Sequence, residues 1–139
     1  MPLIRESLEQ GRNVRIAPQG ISMLPMLQQG RDTVLLSPLP KRLKKYDLPL
    51  YQRENGQYVL HRVVAVGESY TCMGDNQFLP EPGLRHDQMI ALVTAFQRAG
   101  REYSVNNVWY QLYCRFWHYS RPVRRLVRHI LGRLRRMAS

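Results

Sequence analysis

Cysteine and lysine are scarce in this 139-residue chain, and acidic residues nearly vanish after position 100. Its two cysteines, Cys72 and Cys114, lie far apart with neither CxxC nor Cys/His ligand spacing. That spacing argues against a zinc site and a disulfide framework and leaves buried or free thiols. The opening Met-Pro-Leu-Ile-Arg-Glu-Ser has neither a basic lead nor an apolar run, so it does not read as a secretory signal. The longest apolar-leaning stretch, Val105 to Tyr119, is broken by Asn106, Asn107, Gln111, Arg115 and His118. A bilayer span needs roughly 20 mostly apolar residues, so this stretch does not qualify. The expected location is the cytoplasm, with a peripheral position at the inner face of the membrane as the alternative, and no internal repeat is present.

Hydrophobic residues make up 44% of the chain, enough for one core at this length and too little chain for two domains of typical size. Charge is unevenly placed. Residues 101–139 hold nine arginines and one acid, +8 of the total +11, whereas the first hundred residues are near balance with twelve bases and nine acids. The expected organisation is a body over 1–100 and a basic tail over 101–139. The asymmetry points to an anionic partner for the tail.

Residues 2–10 suit a short helix with Leu3, Ile4 and Leu8 on one face and Gly11 as its stop. Val14 to Ala17 reads as a strand ending in the turn Pro18-Gln19-Gly20, and Thr33 to Leu36 as a strand closed by Pro38 and Pro40. Leu48 to Tyr51 and Gln57 to Val66 read as a hairpin around Arg53-Glu54-Asn55-Gly56, whose Asn-Gly pair favours the turn. Alternation in the second arm predicts Val59, His61, Val63 and Ala65 on one face and Tyr58, Leu60, Arg62, Val64 and Val66 on the other. Tyr70 to Met73 is a further strand, Phe78 to Gly83 a Pro-rich excursion, and Gln88 to Arg98 a long apolar strand. The predicted class is mainly β with curled antiparallel sheets. From Val105 the apolar residues recur at helical spacing, as they do again after Pro122, which adds a C-terminal pair of amphipathic helices.

A hydroxyl nucleophile needs a sharp presentation, a base in reach and donors for an oxyanion. Gly20-Ile21-Ser22-Met23-Leu24-Pro25-Met26-Leu27 offers such a presentation, because Gly20 permits a tight turn and Pro25 stiffens the exit. Followed by Gly30-Arg31-Asp32 and a hydrophobic strand, this segment resembles the nucleophile box of type I signal peptidases and self-cleaving repressors. Val59-Leu60-His61-Arg62-Val63-Val64 is similar to their general-base box, and Gly74-Asp75-Asn76 to their third box. The boxes fall in order over roughly residues 14–95. The resemblance implies a LexA/signal-peptidase type of β fold and a serine endopeptidase, with Ser22 as nucleophile and His61 as base. It further implies Gly20 and Met23 at the oxyanion and substrate groove, an extended peptide as substrate, and no metal or other cofactor.

Lysine is the base in the bacterial-type and repressor branches, whereas His61 matches the endoplasmic-reticulum and archaeal branch. Lys41, Lys44 and Lys45, the only lysines, lie in a solvated run. A histidine base needs less burial than a lysine, its ordinary pKa being about 6.5, but its ring must be oriented. Asp75, in the third box, and Glu81, flanked by Pro80 and Pro82, compete for that task, with Asp87 as a third candidate; Arg62 reads as a structural partner of Asp75. The alternative function is a non-catalytic peptide-binding module or membrane-docked adaptor on the same fold. For residues 105–139 an anionic lipid surface and simple packing on the core remain open. Nucleic acid is the weaker candidate, because no recognised binding module accompanies the arginines.

Overall fold

A computed structural model of the chain describes residues 2–138, with the side chains of Pro2 and Leu3 excepted. Helix α1 (Pro2–Glu9) opens the chain, buries Leu8 and packs Ile4 against the core. The expected role of Leu3 on this face falls outside the described residues. Gly11, at φ 77°, turns the backbone away in the left-handed region that glycine adopts without penalty.

Among the described residues the chain continues through β1 (Val14–Ile16), β2 (Thr33–Pro38), β3 (Pro49–Gln52), β4 (Tyr58–Leu60), β5 (Arg62–Val66), β6 (Tyr70–Met73), β7 (Glu81–Leu84), β8 (Met89–Arg98), β9 (Arg101–Ser104), α2 (Val108–Tyr119) and α3 (Arg121–Ala138). One antiparallel sheet runs β1-β2-β8-β3-β4, with β9 added to β8; a second runs β5-β6-β7. The chain is thus mainly β, a curled antiparallel half-barrel followed by C-terminal helices. Strand β8 is the spine. Its buried positions Met89, Ala91 and Val93 alternate, then shift to Phe96, because a bulge opposite Leu35/Leu36 leaves Thr94 without a partner residue in β2.

Two apolar clusters lie on either side of this sheet. Val34, Leu36, Leu50, Ala91, Val93 and Phe96 meet Leu8, Met26, Leu27, Tyr110 and Cys114, so α2 belongs to the main core. Tyr51, Val59 and Met89 meet Val63, Tyr70, Cys72 and Leu84 of the second sheet. Burial pushes the Cys72 thiol up to about 12, which suits a residue acting as a small hydrophobe.

Several expectations change. The predicted strand Gln57 to Val66 is two strands in different sheets, and His61 is the residue between them. The chain crosses from one sheet to the other there. Simple alternation therefore fails: His61, Arg62, Val63 and Val64 are all buried and Ala65 is exposed. A register shift between Val63 and Ala65 completes the break. The Pro-rich excursion contains β7, whose position at the edge of its sheet lets Pro82 go without a ladder donor. Strand β9 extends the main sheet past position 100. Helix α2 starts at Val108, three residues later than the periodicity suggested, because the Asn107 side chain caps it by accepting the Tyr110 N–H. Ser120 ends α2, and Pro122 sits in the first turn of α3, where its missing N–H costs nothing.

Candidate active site

Ser22 and His61 line one groove of about 390 Å³. One wall is the end of β1 and the turn after it, from Ile16 to Gly20 with Ser22 and Met23; the other is the segment Gln57 to His61. Strands β1 and β4 are the two terminal strands of the main sheet's path, so only a strongly curled sheet brings them to one groove.

Local chemistry explains how the Ser22 turn is held. Gly20 has φ 84°, and its N–H donates to Gln29 Oε1 at 2.6 Å. Met26 and Leu27, both buried, anchor the far end of the turn. Its near end is clamped from outside: the Asn76 N–H donates to the Ser22 carbonyl at 2.8 Å, and Asn76 Nδ2 to the Ile21 carbonyl at 3.1 Å. Gly74 passes so close that an added Cβ would lie 2.5 Å from the Ser22 carbonyl oxygen. The third box is thus a backbone clamp on the first. Met23 is buried, borders the groove and receives the Asp75 N–H on its sulfur at 3.5 Å. Asp32 accepts from Arg31 and from the N–H groups of Gln28 and Ala99. Burial alone would raise its carboxyl, but those bonds more than offset it and lower it to about 2.

Asp75 does not reach for His61; its carboxylate is taken by Arg62 in a bidentate pair at 2.8 and 3.1 Å and by the Tyr113 hydroxyl at 2.7 Å. Arg62, almost wholly buried, also donates to the Tyr46 carbonyl, Tyr110, Cys114 and the Met26 sulfur. Burial would lower the guanidinium, yet Asp75 and these partners keep it firmly protonated. Removing one partner of such a pair costs about 3–5 kcal/mol, because the other is left buried and charged. Asp87 pairs with Arg85 at the surface.

His61 is held differently. Its Nδ1 lies 3.4 Å from the Tyr51 hydroxyl, which itself donates to Glu81 Oε1 at 2.7 Å. Arg53 fixes Glu81 with two bonds of 2.9 Å. Tyr51 has one proton, and Glu81 takes it, so the Tyr51 oxygen accepts from His61 Nδ1–H across a long contact. That assignment leaves Nε2 as the lone-pair nitrogen. Glu81 thus reaches His61 through the Tyr51 hydroxyl and not directly. Burial, with help from Arg53 and against the pull of Glu81 and Asp75, lowers the His61 pKa to about 4, so the ring is neutral at pH 7. Glu81 itself is lowered: the bonds from Arg53 and Tyr51 more than offset its burial.

Among the hydrogen bonds of the described residues, none joins the Ser22 hydroxyl to His61 and none uses the N–H of Ser22 or Met23. Sequence reasoning missed Tyr51 and Arg53, which supply the link between the acid and the histidine. Among the described residues no group of three or more His, Cys, Asp or Glu is placed to hold a metal ion.

Comparison with protein-family models, with curated proteins and with solved structures found no match. The functional reading rests on the groove's own chemistry: a hydroxyl on a clamped turn, a neutral buried imidazole lining the same groove, and the two terminal strands of the main sheet beside it.

Proposed function

We propose that this chain is a serine endopeptidase of the signal-peptidase and self-cleaving-repressor type, cutting an extended peptide laid between β1 and β4. The observation that carries the proposal is the shared groove, whose lining includes both Ser22 and a histidine whose base form dominates at pH 7. Terminal strands expose unpaired backbone groups, and an extended peptide is the ligand that pairs with them. Side chains of the peptide then alternate between the groove floor and solvent.

In the first half-reaction the Ser22 Oγ attacks the scissile carbonyl while its proton passes to His61 Nε2. The N–H groups of Ser22 and Met23, which serve no other backbone bond, stabilise the oxyanion; the Gly20 N–H is committed to Gln29. Collapse of the tetrahedral intermediate breaks the C–N bond, and His61 returns the proton to the departing amine. Water then attacks the ester, gives its proton to Nε2, and Ser22 leaves with that proton as the hydroxyl. Catalytic hydrogen bonds in unliganded sites are often long and tighten with substrate, and the Ser22 to His61 approach is assigned to that closure.

Digestion of a library of extended peptides by the full chain, read by mass spectrometry for new termini, tests the proposal. Ser22→Ala is expected to reduce cleavage to background with an unchanged circular dichroism spectrum. Cleavage by Ser22→Ala at the original rate would sink it; peptide binding with no cleavage by the unaltered chain would favour a non-catalytic recognition module.

A further inference from the structure

We infer that α2 and α3 form a docking surface for an anionic lipid bilayer, lying in the interface without crossing it. The inference does not depend on catalysis.

Helix α3 is packed on the body by its arginines. Arg121 donates to the carbonyls of Gly74 and Gln77, Arg124 lies over the Trp117 ring at 3.8 Å, and Arg128 bonds Asn76 Oδ1 and covers the Phe78 ring. Its apolar stripe meets nothing comparable: Leu126 is 58% and Leu134 55% exposed, and Val127, Ile130 and Leu131 between them are about equally bare. An amphipathic helix on a globular body normally turns its leucines inward. Here the leucines are left for another apolar phase. Helix α2 adds Trp109, 78% exposed, together with Leu112 and Phe116, although Tyr110 and Cys114 on its other side are in the core. Aromatic rings of this kind favour the headgroup level of a bilayer.

Charge selects the occupant. Helix α3 carries seven arginines and no acid, and no acidic residue occurs from Tyr103 to Ser139. A second copy docking face to face would bring two such arginine sets together. A nucleic acid would satisfy the arginines and leave the leucine stripe in water. An anionic bilayer satisfies both, with acyl chains against the stripe and headgroup phosphates within reach of long arginine side chains that extend past it. Among the described residues no helix is long and apolar enough to cross a membrane, so the mode is peripheral.

The full chain is floated with vesicles of phosphatidylcholine alone and of phosphatidylcholine mixed with phosphatidylglycerol. It is expected to float with the mixed vesicles only, with a blue shift of tryptophan emission from Trp109. Leu126→Ser/Ile130→Ser/Leu134→Ser changes exposed positions and should keep the circular dichroism spectrum while lowering partitioning about tenfold or more. Arg125→Gln/Arg133→Gln, which leaves Arg121, Arg124 and Arg128 in place, should weaken binding and flatten its salt dependence. The inference is overturned if the chain floats with neither vesicle or if the triple serine variant floats as the parent does. It is also overturned by tighter binding to duplex DNA than to mixed vesicles at equal salt, or by a dimer that the triple variant converts to monomer.

Discussion

At the scale of single residues, Ser22 and His61 stood out as candidates because both sit in compact local patterns, a glycine-started turn and an apolar run, and the structure brings both to one groove. Tyr51 was not. It closes an ordinary strand pattern, and its role depends on β3–β4 pairing that sets Tyr51 opposite Val59, two residues from His61. Its place between Glu81 and His61 makes it a positioning residue in the proposed mechanism, and Tyr51→Phe tests that. The variant is expected to lower kcat about ten- to a hundredfold with KM nearly unchanged, since the ring loses its tautomer control and not its binding partners. An equal loss in KM and none in kcat would assign Tyr51 to substrate binding instead. The acid limb of cleavage follows from the same ring. With the His61 pKa lowered to about 4, kcat/KM should hold down to roughly pH 5, below the fall near 6.5 of an unperturbed histidine. Stability has the same sign. Between a folded value of about 4 and an unfolded value of 6.5 the unfolded chain takes up a proton that the folded ring refuses. Stability present above pH 6.5 is thus lost as pH falls towards 4, by about 3 kcal/mol at most, and denaturant titrations of the parent and His61→Asn should differ in that window.

Among the elements, local signals worked where local chemistry decides. The Asn55-Gly56 hairpin forms, with Gly56 at φ 91° and the Asn55 side chain accepting the Gln57 N–H. They failed where neighbours decide. Pro80 and Pro82 argued against a strand, yet β7 forms because an edge strand needs few ladder donors. The pair Arg62 and Asp75, read from the sequence as structural, ties β5, the third-box loop and α2 into one unit. The loop Gly74 to Gln77 also carries the clamp on Ser22, which makes Gly74 the sharpest element-level test. Gly74→Ala places a Cβ against the Ser22 carbonyl oxygen and must push that turn aside. It should abolish peptide cleavage while the chain still melts cooperatively; cleavage at the parent rate would show that the clamp has no part in presenting the nucleophile.

For the molecule as a whole, hydrophobic periodicity and charge distribution indicated a β body with a basic helical end, but not how the two meet. A division at position 100 follows the charge; the fold instead carries the sheet into β9 and seats α2 in the main core. Helix α3 adds no residue to either apolar cluster and is held by Arg121, Arg124 and Arg128 to the same loop that clamps Ser22. The curl of the main sheet is the feature no local pattern shows, because it is a property of the sheet as a whole, and it alone brings β1 and β4 to one groove. On the proposed mechanism this groove holds His61 neutral, with its proton on Nδ1 and a lone pair on Nε2. Nitrogen-15 NMR of the histidine rings, with His61 assigned by its loss in His61→Asn, measures this directly. An Nδ1–H tautomer that stays neutral from pH 8 to about 5 is expected; a ring titrating near 6.5, or one protonated on Nε2 at neutral pH, would contradict this assignment.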